Sequence, residues 1–192
     1  MFEIILAITV VALTVAVVGL FAMMGELASR VPDPTPSESD MWPQALDEAR
    51  LGAQPDSWPG ELSELSDAAH AVLVVLSTSC TTCGRLAGGV TGEFVVPAET
   101  AAVVVACPTE EAGRAFVAEH RGLHGLRVLI DPAGEWTRTA FDVSTSPSAL
   151  VLSQGRLLSA HTVTTAAALR RVGEMPVDEQ STMNREELHA GH

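Results

Sequence analysis

No lysine occurs anywhere in this 192-residue chain: its 11 basic residues are all arginines, set against 24 aspartates and glutamates. With a net charge of −13 and no basic cluster, a nucleic-acid surface is excluded, because phosphate contacts need Lys or Arg in number. The acidity is read as a solvated surface. Aromatic residues are scarce, at 4%, so a core must be built from Val, Leu, Ala and Ile. Cysteine is nearly absent as well. Three thiols, an odd count, exclude a disulfide scaffold and leave one pair with a spare at Cys107.

Charge is also missing from one long stretch. Between Ile4 and Met24 the only polar side chains are Thr9 and Thr14. At helical rise such a run roughly matches the ~30 Å hydrocarbon core, so a transmembrane anchor is expected over residues 3–25. A cleaved leader is the competing reading. It lacks a basic region before the apolar run, and the run is longer than the usual ~7–15 residues. Residues 29–60 follow as a spacer rich in proline, from Pro32-Asp33-Pro34-Thr35-Pro36 through Pro43, Pro55 and Pro59, which favour extended chain. A short helix around Gln44 to Leu51 is entertained there. Arg30, following the span, points to a cytoplasmic domain by the positive-inside rule.

A folded domain is expected over residues 61–173, about the size of one ordinary domain with its own core. The polar residues 174–192 read as a flexible tail. Its elements alternate: strand Ala71–Ser77, helix Thr81–Val90, strand Ala101–Ala106, helix Thr109–His120, strand Arg127–Ile130, a turn at Asp131-Pro132-Ala133-Gly134, helix Glu135–Phe141. A hairpin follows, Ala149–Ser153 and Arg156–Val163 around Gln154-Gly155, and then a helix Thr164–Gly173 capped by Thr164 or Thr165. That order predicts an α/β fold with a central mixed sheet, helices on both faces and an antiparallel pair at one end.

The chemistry lies in Cys80-Thr81-Thr82-Cys83, just past the apolar run Ala71–Leu76. A helix N-terminus at Cys80 offers unpaired N–H groups and a partial positive charge that stabilise a thiolate over a thiol. Cys83 lies one turn on, within reach to resolve a mixed disulfide formed at Cys80. The α/β arrangement puts this pair at the carboxyl end of a central strand, where such sheets carry their chemistry.

Val72–Cys83 resembles the active-site strand and helix start of a thioredoxin fold. The stretch from Asp131-Pro132-Ala133-Gly134 to Phe141–Leu152 is similar to the thioredoxin segment that carries a cis-proline loop before an antiparallel strand. Anchor, spacer and domain together resemble the membrane-tethered TlpA-like thioredoxins, with the order seen in the accessory proteins of methylamine dehydrogenase maturation. The resemblance covers roughly residues 54–173, and C-x-x-C and Ser-Pro are its sharp motifs. It implies Cys80 as attacking thiolate, Cys83 as buried resolving thiol, Pro147 as a cis-proline facing the pair, and the Ser146 backbone as the partner of an extended substrate segment. It implies a protein disulfide or dithiol as substrate, a redox partner and a membrane, and no cofactor. Tethered relatives work outside the cytoplasm, where a disulfide persists, and the domain is placed on that side.

Three departures stand out. Ser79 occupies the place of an aromatic residue, Val74 that of a buried acid, and Thr81-Thr82 replace the usual dipeptide, setting hydroxyls and N–H groups near the thiolate. They point to slow reduction or exchange with one dedicated partner. Two other function classes stay open: a non-catalytic thioredoxin-like docking module, and a peroxiredoxin-type peroxidase suggested by Cys107-Pro108-Thr109-Glu110, whose upstream positions hold Thr100 and Val104 instead of the required residues. No metal site is expected, since tetrahedral zinc needs two ligands beyond the pair. Cys107 reads as a small buried hydrophobe. His120, His124, His189 and His192 carry no sharper role.

Overall fold

The computed structural model describes residues 41–89 and 100–174, together with Leu6, Leu13, Thr14 and Val17. The chain divides into two compact units, Met1–Ser37 and Glu38–His192. The expected anchor over residues 3–25, apart from those four positions, lies outside the described residues, as do the first part of the spacer and the tail from residue 175. Among the described residues no helix is long and apolar enough to cross a membrane.

Six strands form one sheet: β1 (Gln44–Ala45), β2 (Ala71–Ser77), β3 (Thr100–Cys107), β4 (Arg127–Pro132), β5 (Ser148–Ser153) and β6 (Arg156–Thr162). Their spatial order is β1-β6-β5-β2-β3-β4. β2, β3 and β4 run parallel; β5 pairs antiparallel with β2 and forms a hairpin with β6, and β1 adds antiparallel to β6. The helices are α1 (Thr81–Gly89), α2 (Glu110–Glu119), α3 (Glu135–Phe141) and α4 (Ala166–Glu174). A mixed sheet with helices on both faces is the thioredoxin fold expected from the sequence.

The two faces explain the unbroken apolar runs. Val72, Val74 and Leu76 bury against Cys83 and Ala87 of α1, Phe116 of α2, and Ala168, Leu169 and Val172 of α4. Leu73 and Val75 point the other way, into a cluster with Leu62, Leu65, Ala140 and Phe141. A strand covered on both faces gains nothing from polar alternation, so β2 and β3 read as continuous Val, Leu and Ala.

Helix ends follow local chemistry. Thr109 Oγ1 accepts from the Ala112 N–H at 3.2 Å and starts α2, and Thr165 Oγ1 accepts from the Ala168 N–H at 3.1 Å and starts α4. At the hairpin, Gln154 (φ 49°) and Gly155 (φ 73°) are both left-handed, the backbone that twists correctly into a two-residue turn. A Cβ on Gly155 would also stand 2.9 Å from the Ser66 carbonyl oxygen.

The boundary differs from expectation. Residues 41–60, assigned to the spacer, are part of the folded domain. Leu46, Ala49, Ala53 and Trp58 pack on the second cluster, and Trp58 meets Trp136 and Phe141 at ring centroid distances of 5.8 and 6.3 Å. The backbone bonds Leu46 N–H to Ala160 O (2.9 Å), Gly52 N–H to Leu157 O (2.7 Å) and Leu157 N–H to Ala53 O (2.9 Å) fasten this segment to β6. The short helix entertained over Gln44 to Leu51 is replaced by β1 and turns. Proline excludes regular helix locally, but β6 would otherwise present an unpaired edge, and an irregular chain with apolar anchors can satisfy it.

Candidate active site

β2 ends at Ser77, and the chain must turn immediately into α1. Thr78 N–H donates to Ala106 O at 3.0 Å, tying the turn to β3, and Cys80 N–H donates to Ser77 O at 3.2 Å. Cys80 precedes the first turn of α1, its carbonyl accepting from Gly84 N–H at 3.1 Å. From that position its side chain reaches an amide of the first turn. The Cys83 N–H donates to Cys80 Sγ at 3.3 Å.

All three cysteines are free thiols. Cys80 is half-buried, whereas Cys83 has no exposure at all and belongs to the core. Burial pushes the Cys83 thiol up to about 12; hydrogen bonding with Cys80 and the charge there act in the same direction. The pair is therefore asymmetric. One sulfur reaches the surface with an amide donor beside it, and the other is held protonated beneath.

The loop before β5 meets this pair. The Ser146–Pro147 peptide bond is cis, and the Ser146 carbonyl lies 3.8 Å from Cys80 Sγ, which donates to it. Residues 66 positions apart are brought together because β5 lies next to β2 in the sheet. Thr81 is exposed and Thr82 half-buried at the start of α1. The Thr82 hydroxyl accepts from Arg85 at 3.2 Å. Cys80, Cys83, Ser146 and Pro147 thus form one site, with Thr81 and Thr82 at its rim.

Three features have no counterpart in the motif. Asp131, buried at the end of β4, accepts from the Trp136 and Thr137 N–H groups, each at 3.0 Å, and from Thr137 Oγ1 at 2.8 Å, so it caps α3 from outside the helix. His161 of β6 is 1% exposed, and both ring nitrogens lack a hydrogen-bond partner. Burial lowers its pKa. Its register partner is Ala149, which in turn faces Val74, so His161 is on the sheet face that carries Cys83. A cavity of about 370 Å³ adjoins the pair, with Ser79 and Ser146 in its lining. An Asp followed by a helix start was a readable signal for the first; nothing local marks the other two.

Cys107 ends β3, buried against α2, where a Cβ on Gly113 would lie 2.9 Å from its sulfur. Burial raises its thiol. Among the described residues no three side chains of metal-binding type are grouped.

No family model matches the chain, and no curated protein does. Solved structures do resemble it. A secreted Mycobacterium tuberculosis disulfide oxidoreductase homologous to E. coli DsbE is 20% identical, covering 76% of this chain and 96% of its own, with a TM-score of 0.43. A thiol:disulfide interchange protein DsbE from Chlorobium tepidum is 18% identical, covering 68% and 95%, with a TM-score of 0.48. StoA from Bacillus subtilis is 14% identical, covering 66% and 97%, with a TM-score of 0.43. Each is a likeness of overall fold.

Proposed function

We propose that this chain is a membrane-tethered thiol–disulfide oxidoreductase acting on a protein substrate, in the maturation of another protein. The observation that carries the reading is the asymmetric pair: Cys80 Sγ, half-buried and hydrogen-bonded by the Cys83 amide, faces a cis Ser146–Pro147 bond, with Cys83 sealed beneath. Attack by the Cys80 thiolate on a substrate disulfide breaks the S–S bond. One substrate sulfur leaves as a thiolate, and the other is joined to Cys80. Attack by the Cys83 thiolate on Cys80 Sγ then releases the second substrate thiol and leaves a Cys80–Cys83 disulfide. Run backwards, the same steps oxidise a dithiol.

Cys83 must lose its proton for the second step. Two influences holding that proton, the hydrogen bond with Cys80 and the charge there, disappear once Cys80 is bonded to substrate. Burial remains and slows resolution, which fits exchange with a dedicated partner better than fast general reduction.

The uncharged run Ile4 to Met24 supports a tether, with the domain on the extracytoplasmic side where disulfides persist. The buried, protonated Cys83 also gives room to the rival reading of a docking module with an inert pair. One non-reducing gel separates the two. In carbonate-washed membranes from cells making Cys83→Ser, the exchange reading expects the chain in the pellet, with adducts that dithiothreitol removes and that vanish in the Cys80→Ser, Cys83→Ser double variant. A partner that co-purifies with both single variants, with no adduct, would overturn the enzyme reading.

A further inference from the structure

The cavity beside Cys80 differs from the rest of the surface. The chain carries 24 carboxylates, yet among the described residues none lines this cavity. Its lining includes Ser79, the residue preceding Cys80, and Ser146, whose carbonyl lies against Cys80 Sγ; Val75 and Val143 contribute apolar surface. The charged member of the lining is Arg138 of α3.

Arg138 is also unengaged. Other arginines are tied down: Arg114 to Glu110, Arg127 to Glu64, and Arg50 to the carbonyls of Thr139 and Ala140. The Arg138 guanidinium is exposed and makes no hydrogen bond or ion pair with a described residue, although Glu135 and Asp142 stand three and four positions away in sequence. Asp131, just behind Thr137, is spent on three donors of α3. A free guanidinium presents a fork of donors suited to a carboxylate. In a chain of net charge −13, an acidic partner is repelled by most of the surface, so one carboxylate-free cavity with a free arginine is where such a partner would be accepted.

We propose that this cavity is a substrate-reading subsite, in which Arg138 receives a Glu or Asp side chain lying next to the reactive cysteine of the substrate. The proposal rests on Cys80 being the exchanging thiol. A segment whose sulfur meets Cys80 passes Ser79 and Ser146, and its neighbouring side chain then enters the cavity. Small residues at both positions leave that space open.

The test uses the full chain, reduced and purified in detergent, with two synthetic decapeptides. Each carries one cysteine as a mixed disulfide with 2-thiopyridine, flanked on both sides by Glu in one peptide and Gln in the other. Cys80 attacks the peptide sulfur, the peptide becomes bonded to Cys80, and pyridine-2-thione leaves and is read by its absorbance. The Glu peptide is expected to react faster than the Gln peptide by up to about fivefold, the range of an exposed ion pair, with the ratio shrinking as salt is raised. Arg138→Gln should bring the ratio below one, as net charge alone then acts. Arg121→Gln, the same charge change outside the cavity lining, should leave the ratio as it was. A wild-type ratio at or below one, or a preference that survives Arg138→Gln, overturns the subsite while exchange stands. If neither peptide reacts, the exchange reading falls and the subsite with it.

Discussion

Iodoacetamide offered briefly to the reduced, folded chain should label Cys80 and leave Cys83 almost untouched. Only the thiolate is alkylated, and burial shifts the Cys83 thiol from 9.0 to about 12. Three units mean about a thousandfold less thiolate than an ordinary cysteine holds at any pH well below 9. Access works the same way, since Cys83 is fully buried and Cys80 half-exposed at the head of α1. Mass spectrometry of peptides after a quenched pulse reads the ratio, and the same pulse in concentrated urea should make the labelling equal. Native labelling of Cys83 within tenfold of Cys80 would refute the asymmetry on which the mechanism depends. A stability effect of defined sign accompanies it. Above pH 9 the unfolded chain loses the Cys83 proton while the folded chain keeps it, so this contribution is intact below about 9 and is lost as pH rises toward 12. Cys83→Ala should remove that part of the alkaline slope.

Two further predictions concern groups the motif does not contain. His161→Leu should raise stability at neutral pH by about 1–3 kcal/mol, because it removes two buried, unpartnered ring nitrogens. Burial holds the folded His161 below its ordinary 6.5, so its contribution is intact above 6.5 and fades as the pH falls below it; urea midpoints at pH 5.0 and 7.5 should therefore lie closer together in the variant, and unchanged spacing would contradict the assignment. Asp131→Ala strands the first turn of α3 and should cost about 2–4 kcal/mol in urea unfolding, with Asp131→Asn in between; a loss below 1 kcal/mol would show that α3 does not depend on this cap.

How legible the molecule was depends on how local the deciding physics is. β2 and α3 match their expected limits because β-branched runs and a turn-to-helix start act within a few residues. The Gln154-Gly155 hairpin and the Thr165 cap were readable for the same reason. The C-x-x-C at a strand end announced a helix-start thiol, and the structure places the Cys83 amide on Cys80 Sγ as that geometry requires. The spacer boundary was misread because proline speaks only for its own backbone. Whether Leu46 and Trp58 find a surface depends on β6 and α3, about a hundred residues away.

Alone, the sequence determined where the strands and helices from residue 71 onward form, that both faces of β2 are covered, and that a dithiol sits at the end of a central strand, all consequences of side-chain periodicity and short-range sterics. Only the tertiary structure decided that Ser146 meets Cys80, that Cys83 is sealed enough to hold its proton, and that, among the described residues, His161 is buried without hydrogen-bond partners and Arg138 lines a cavity free of carboxylates. Those facts arise where β5 pairs with β2 and α3 packs beneath the sheet. Burial and charge environment are sums over neighbours that are distant in sequence, and no local pattern encodes them.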